Sequence, residues 1–336
     1  MLNAALIGFG GIAQAAHIPA YKSLEKKNKV RLVAAYEINK DRFNTKTEIN
    51  IGGSDVGELK IRQYTNLEEM LNNEAIDLID ICIPTPFHSD MAVNMLDRGY
   101  NVFCEKPMSR TYNGCLKMLD AAKQSKGKLM IGQCLRFFPD YMYLKGVIDS
   151  GEFGKPLSAV FRRMSVPPIW GWQNWYMNYE MSGGALMDLH IHDIDMARYL
   201  FGEPYAVSCL AQDVYSKFDI AHSRLYYENL PVLAIGDWSL AGTPFTADFR
   251  VGFEKASVIS EGGTVTVYTR DDKEFKPELV STGGYEGEIE YFVNMINSKS
   301  ENIKNPPESA ALSLKLIETL RESAESGGKI VKFNPA

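Results

Sequence analysis

Lys106, Asp188 and His192 are the residues of this chain best suited to moving a proton and steadying an alkoxide. Lys106 lies in Gly99-Tyr-Asn-Val-Phe-Cys-Glu-Lys-Pro107, directly after the apolar run Asn101–Cys104, which reads as a buried parallel strand. Such strands in an open α/β sheet deliver their last residues to a ligand crevice at the carboxyl edge. A lysine there, between a carboxylate and a rigid proline, is placed to meet a cofactor and a substrate. An isolated Lys-Pro is more often a surface cation, so the assignment depends on the rest of the chain. The densest chemistry is Gly183-Gly184-Ala-Leu-Met-Asp188-Leu-His190-Ile-His192-Asp193-Ile-Asp195. Read as one helix, Asp188 and His192 form an i, i+4 pair, Asp195 continues their face and His190 points elsewhere. A carboxylate bonded to an imidazole fixes its tautomer and raises its basicity, which suits a general base near neutral pH. A metal is not expected, because His-x-His on a helix splays the two rings about 200° apart.

Other residues point to a dinucleotide. Gly8-Phe9-Gly10-Gly11-Ile12-Ala13 is the G-x-G-x-x-A fingerprint, set after the first strand and opening a helix. Gly8 serves the tight turn, Gly10 lets the backbone approach a pyrophosphate, Ala13 keeps the helix near the sheet, and free N–H groups meet the anion. Glu37, just past the second strand, is placed to accept from the ribose hydroxyls and to repel a 2′-phosphate, favouring NAD over NADP; Lys40 and Arg42 nearby work against that preference. The fourth strand ends in Ile83-Pro84-Thr85-Pro86-Phe87-His88, a loop that reads as lining the cofactor. Arg136 follows the last strand of the first domain and is a candidate substrate ligand, with Arg163 a weaker one. Among Trp170, Trp172, Trp175 and Tyr176, Trp175 is the ring chosen to stack on a sugar face; packing is the competing use of such rings.

The elements that must position these groups divide at residue 134. Before it, strand-like runs (Ala4–Ile7, Val30–Tyr36, Ile61–Tyr64, Leu78–Ile83, Asn101–Cys104, Leu129–Gln133) alternate with helical patterns such as Met91–Arg98 and Thr111–Gln124. That alternation means βαβ units and a doubly wound parallel sheet over 1–134. Over 135–336 one helical stretch, Gly184–Phe201, is followed by closely spaced strand candidates from Val207 to Thr269, and two helices close the chain. This reads as an α+β domain with a mostly antiparallel sheet. The 336 residues carry a net charge of −6 and no long basic run, which argues against nucleic acid or an anionic membrane as partner. No apolar stretch reaches the ~20 residues of a membrane span, and Leu2–Ile7 reads as a strand, so neither anchor nor leader is expected. Five cysteines without a C-x-x-C pair fit reduced thiols in a cytoplasm.

Together the fingerprint, Pro84-Thr85-Pro86-Phe87-His88, Glu105-Lys106-Pro107 and Gly183-Gly184-x4-Asp188-x3-His192-x2-Asp195 resemble the Gfo/Idh/MocA (glucose-fructose oxidoreductase/inositol dehydrogenase) family over nearly the whole chain. The resemblance implies a Rossmann domain followed by an α+β domain whose open sheet forms homodimers or homotetramers, with NAD(P) bound and sugars or cyclitols as substrates. Carried over by position, Lys106 and His192 contact the reacting hydroxyl, Asp188 accompanies them, and Glu105 lies near the nicotinamide ribose. Thr85 stands where many members have asparagine. His190 replaces a common glycine, which places a bulky ring beside the site. The expectation is thus a dehydrogenase in which His192 takes the hydroxyl proton, Lys106 steadies the alkoxide and hydride goes to the nicotinamide. Two other classes compete: an NAD-assisted glycosidase with no net redox, and a non-catalytic dinucleotide sensor.

Overall fold

The computed structural model describes residues 1–47, 49 and 60–335, arranged as two compact units. The first unit holds β1 (Leu2–Ile7), β2 (Val30–Tyr36), β3 (Arg62–Tyr64), β4 (Leu78–Ile81), β5 (Asn101–Glu105) and β6 (Leu129–Gly132). They form one sheet in the order β3-β2-β1-β4-β5-β6, with every neighbouring pair parallel. The order reverses between β1 and β4, and open α/β sheets bind their ligands outside the strand ends at such a reversal. Ala4–Ile7, β4 except for the solvent-shielded Asp80, and Val102–Cys104 are fully enclosed apolar runs, as strands covered on both faces must be. The helices are α1 (Ile18–Lys26), α2 (Leu67–Asn73), α3 (His88–Asp97) and α4 (Tyr112–Gln124). Asn66 and Thr111 cap α2 and α4 by accepting the N–H groups of Glu69 and Gly114.

The second unit contains α5 (Pro139–Ser150), α6 (Tyr179–Ser182), α7 (Gly184–Asp188) and α8 (Ile191–Phe201). Its strands are β7 (Pro156–Met164), β8 (Ala206–Gln212), β9 (Ile220–Tyr226), β10 (Pro231–Asp237), β11 (Thr246–Phe253), β12 (Ala256–Glu261), β13 (Thr264–Thr269), β14 (Glu274–Phe275) and β15 (Val331–Lys332). They form a nine-stranded sheet, β14-β13-β12-β11-β7-β10-β9-β8-β15, antiparallel except for the parallel pair β7 and β10. Period-two alternation gives the sheet two different faces. Phe161 of β7 and Phe249 of β11 turn inward, meeting Phe201 of α8 and Tyr141 of α5 at 6.4 Å and 5.0 Å between ring centroids. Leu210, Leu233 and Tyr268 stand exposed on other positions of β8, β10 and β13. The helix α5, which the residue pattern does not announce, supplies part of the inner layer.

Two helices close the chain, α9 (Gly284–Ser298) and α10 (Pro307–Glu325). Residues Gly284–Ala311, together with Ile169–Trp175, belong to the first unit, and the second takes up again at Leu312. A single division at residue 134 assigned all of these to the second domain. Packing explains the difference: Ile289, Phe292 and Val293 of α9 are buried, and the Phe292 ring stands 6.0 Å from Phe103 of β5. Lys27 and Lys29, following α1, donate to Glu286 (2.6 Å) and Asn294 (3.2 Å) of α9. Among the described residues no helix is long and apolar enough to cross a membrane.

Candidate active site

In the first unit the fingerprint loop lies at the reversal point. Gly8 adopts φ 97°, and a Cβ there would stand 2.5 Å from the Cys82 carbonyl oxygen beyond β4, so this approach admits only glycine. At Gly10 a Cβ would meet no heavy atom within 4 Å, which leaves the backbone open where a pyrophosphate would lie. Gly11 is different, being covered by the side chains of Thr47 and Ile49. Glu37 accepts the N–H groups of Phe9 (2.9 Å) and Asn39 (3.0 Å), which fixes its carboxylate and leaves lone pairs for a ribose diol. Phe9 is buried against Phe43 at 5.0 Å, so it offers the loop its backbone and not its ring. Ile12 runs on into a π-helical turn, Ala13–His17. Gln14, which no sequence motif marks, ties the loop down: its amide donates to the Phe9 carbonyl and its oxygen accepts the Thr47 N–H. These residues fit a dinucleotide.

The loops after β4 and β5 depart in part from expectation. Pro84 leads into a single 3-10 turn, Thr85–Phe87. Thr85 and His88 are each 1% exposed, so neither side chain faces a ligand. The His88 ring lies between the carbonyls of Pro107 (Nδ1, 2.8 Å) and Ile83 (Nε2, 2.7 Å) and joins the two loops. Burial lowers its pKa, against the pull of both carbonyls. Glu105 also turns inward, accepting from His17 through Oε1 (2.9 Å) and from the Lys106 backbone N–H through Oε2 (3.1 Å). The ribose contact expected of Glu105 is therefore not the one its carboxylate makes. Lys106 itself is half-buried at the end of β5, before a cis bond to Pro107.

In the second unit the expected single helix is broken. Asp188 closes α7, His192 stands in the first turn of α8, and Leu189 and His190 form the break. The glycine pair shapes the turn from α6 into α7: Gly183 and Gly184 take φ 81° and 71°, and a side chain at Gly184 would run into the Lys217 carbonyl. Asp188 is nearly buried and His192 half-buried. His190 does not border a site. It is fully enclosed against Gly236 of β10, with Nε2 2.8 Å from the Ser223 hydroxyl of β9 and Nδ1 without a hydrogen bond.

Arg136 is also corrected. Its Nε and Nη2 donate to the two oxygens of Asp195 at 2.8 and 2.7 Å, its guanidinium lies 4.7 Å from the Tyr199 ring, and it is 2% exposed. Ser313 adds a donor to Asp195 at 2.6 Å. Arg136 is thus committed to an internal ion pair and not to a substrate, and Asp195 with it. Arg163 is no surface cation either, since it is buried and paired with Asp193 at 3.0 and 3.2 Å. Trp175, in the first unit, is buried, while Trp170, Trp172 and Tyr176 are half-buried.

Comparison with known proteins gives two adjoining matches: an oxidoreductase family with an NAD-binding Rossmann fold over residues 2–133, and the GFO/IDH/MocA C-terminal domain over residues 141–259. The chain belongs to the Gfo/Idh/MocA family. Residues 2–133, the greater part of its first unit, are the NAD-binding domain of that family. Inositol 2-dehydrogenase of Rhizobium meliloti (strain 1021) is 36% identical over 143 residues, 40% of this chain and 40% of that enzyme, so the match spans under half of that relative's length. Myo-inositol 2-dehydrogenase from Lactobacillus plantarum superimposes with a TM-score of 0.80 at 25% identity, covering 99% of both chains. Levoglucosan dehydrogenase, solved with NADH and levoglucosan, shares the fold at a TM-score of 0.81 and 19% identity, over 98% of this chain and 99% of that one.

Two outcomes follow from this geometry. Arg136→Ala leaves Asp195 buried without its partner and is expected to cost about 3–5 kcal/mol in chemical denaturation; a loss below about 1 kcal/mol would contradict the ion pair. His190 is pushed down to about 3, by burial first and then by His222 and Arg163. Between there and the unfolded value of 6.5 the unfolded chain binds the extra proton, so this contribution is complete above pH 6.5 and drains away as pH falls. His190→Asn should flatten the stability curve over that window, by at most about 1.4 kcal/mol per pH unit, in denaturation at a series of pH values.

Proposed function

We propose that the protein is an NAD-dependent dehydrogenase acting on a secondary hydroxyl of a sugar or cyclitol. The observation that carries this reading is the open backbone over Gly10, flanked by the fixed carboxylate of Glu37, on a sheet whose β5 leads directly into Lys106. Relatives named as inositol dehydrogenases support the substrate class. Gly8, Phe9, Gly10, Gly11 and Ile12 would hold the pyrophosphate through their backbone, and Glu37 the ribose, with Pro84 shaping the loop beside them. Glu37 would also repel a 2′-phosphate, hence NAD before NADP.

When bound, the nicotinamide supplies the hydride acceptor. The chain supplies the rest. The His192 imidazole takes the proton of the reacting hydroxyl, and Asp188 supports the imidazolium that results. The Lys106 ammonium steadies the charge that develops on the alkoxide oxygen. Trp175, although buried, is the ring proposed to face the sugar. The exposed strand face bearing Leu210, Leu233 and Tyr268 is the surface proposed for a homodimer or homotetramer. Five buried cysteine thiols suit a reducing cytoplasm.

The test is NAD reduction, followed by absorbance, across a panel of inositols and sugars. Lys106→Ala and His192→Ala should each lower turnover by ~10²–10⁴-fold while NAD affinity is nearly kept, and near-wild-type turnover in both would remove them from the mechanism. Glu37→Ala should weaken NAD about tenfold or more in a fluorescence titration with NADH and narrow the preference over NADP. Unchanged binding would place the ribose elsewhere.

A further inference from the structure

A cluster of ionisable side chains lies buried in the first unit. His17, fully buried, sits with Nδ1 2.7 Å from Asp80 Oδ2 and Nε2 2.9 Å from Glu105 Oε1. The Tyr21 hydroxyl donates to the same Asp80 oxygen at 3.0 Å, and the Cys82 thiol donates to the other at 3.5 Å. Glu288 of α9 is fully buried, neither of its oxygens has a hydrogen-bond partner, and one lies within 4.8 Å of both His17 and Glu105. Tyr285 of α9 faces the ring from the same side, 6.2 Å between centroids.

The protons can be placed from this geometry. Both nitrogens of His17 face carboxyl oxygens, and a neutral imidazole has only one N–H, so with Asp80 and Glu105 both ionised the ring carries both protons. One cation then stands among three carboxyl groups. Asp80 and Glu105 share it, and a third buried charge at Glu288 would have no counterpart. The π-helical turn Ala13–His17 is one residue wider than an α-helical turn, and it ends on this histidine.

We propose that His17 is a positioning residue: its imidazolium, clamped between Asp80 and Glu105, holds the Glu105 carboxylate and through it the backbone of Lys106, while Glu288 stands beside them as a neutral carboxylic acid. The second oxygen of Glu105 accepts the Lys106 N–H at 3.1 Å, so the clamp is two hydrogen bonds away from the segment that carries the amine. The titration directions agree. Burial works against charge on His17, yet Asp80 and Cys82 outweigh it and lift the ring well above the usual histidine range. Burial, and next the Glu105 charge, lift Glu288 well above the usual carboxylate range. The proposal rests on the reading of Lys106 as the amine at the reacting hydroxyl.

The test uses the full chain and separates the two. In the wild-type protein, ¹⁵N NMR at pH 7 should show both His17 ring nitrogens protonated; a single N–H would overturn the clamp whether or not any variant folds. Acetic anhydride labelling of Lys106, read by mass spectrometry, needs no substrate. His17→Gln and Glu105→Gln should each change its rate severalfold with NADH affinity kept, and the double variant should be no worse than either alone, because the two act through one contact. Glu288→Gln, which mimics a neutral acid, should behave as wild type. Additive effects, an unchanged labelling rate or a large Glu288→Gln effect would each overturn the proposal. So would a stoichiometric divalent metal in the purified protein that disappears with His17→Gln. With NAD and myo-inositol, His17→Gln should lower kcat about 10 to 100-fold with little change in KM. If Lys106→Ala retains turnover, the dehydrogenase reading fails, while the labelling rates still decide the clamp.

Discussion

The reversal of strand order between β1 and β4 governs the first unit. On either side of it the crossover connections leave in opposite directions, so two strand ends open onto a crevice that no helix covers. The backbone at that point must be both tight and bare. It is tight at Gly8, pressed against the Cys82 carbonyl, and bare at Gly10. Every other feature of the loop maintains that contrast: Phe9 anchors its ring below, Gln14 ties the loop to the Thr45 and Thr47 backbone, and Glu37 is held by two backbone N–H groups. The neighbouring loops are then joined by His88, whose ring bridges two carbonyls.

What the residue pattern conveyed well was backbone. Fully buried strands read as short apolar runs, half-buried ones as alternation, and both signals arise from which faces are covered. Gly8 and Gly10 were legible because their requirement is steric and local. The direction of ionisable side chains was not. Arg136, Arg163, Glu105 and His88 occupy positions that suit ligands, and each turns instead to a partner far away in sequence. Spacing along the chain carries no information about a carboxylate 59 residues away, as Asp195 is from Arg136.

A signal for the His17 cluster did exist. Asp80 sits inside the wholly buried strand Leu-Ile-Asp-Ile, and Glu288 precedes the buried stripe Ile289, Phe292 and Val293 on α9. A charge in such surroundings needs a partner or a proton, because its desolvation costs several kcal/mol. Two buried acids in one domain therefore call for a buried base, and His17, in the turn after the fingerprint, is the histidine within reach. It does not lie at a strand end, where ligand chemistry is expected, but in the interior, bonded to Asp80 of β4 and to Glu105 at the end of β5.

His190 makes the complementary case in the second unit. It occurs in the richest run of ionisable residues, and its effect is structural. The ring fills the space above Gly236, where any side chain on β10 would collide with it, and Ser223 on β9 supplies its one partner. Burial of that ring against the sheet coincides with the break that separates α7 from α8, so Asp188 and His192 belong to different helical segments. A histidine at this position and a glycine at 236 are therefore a matched pair. Enlarging residue 236 would displace the ring and the break together, and it would reach the catalytic candidates through packing without touching either of them.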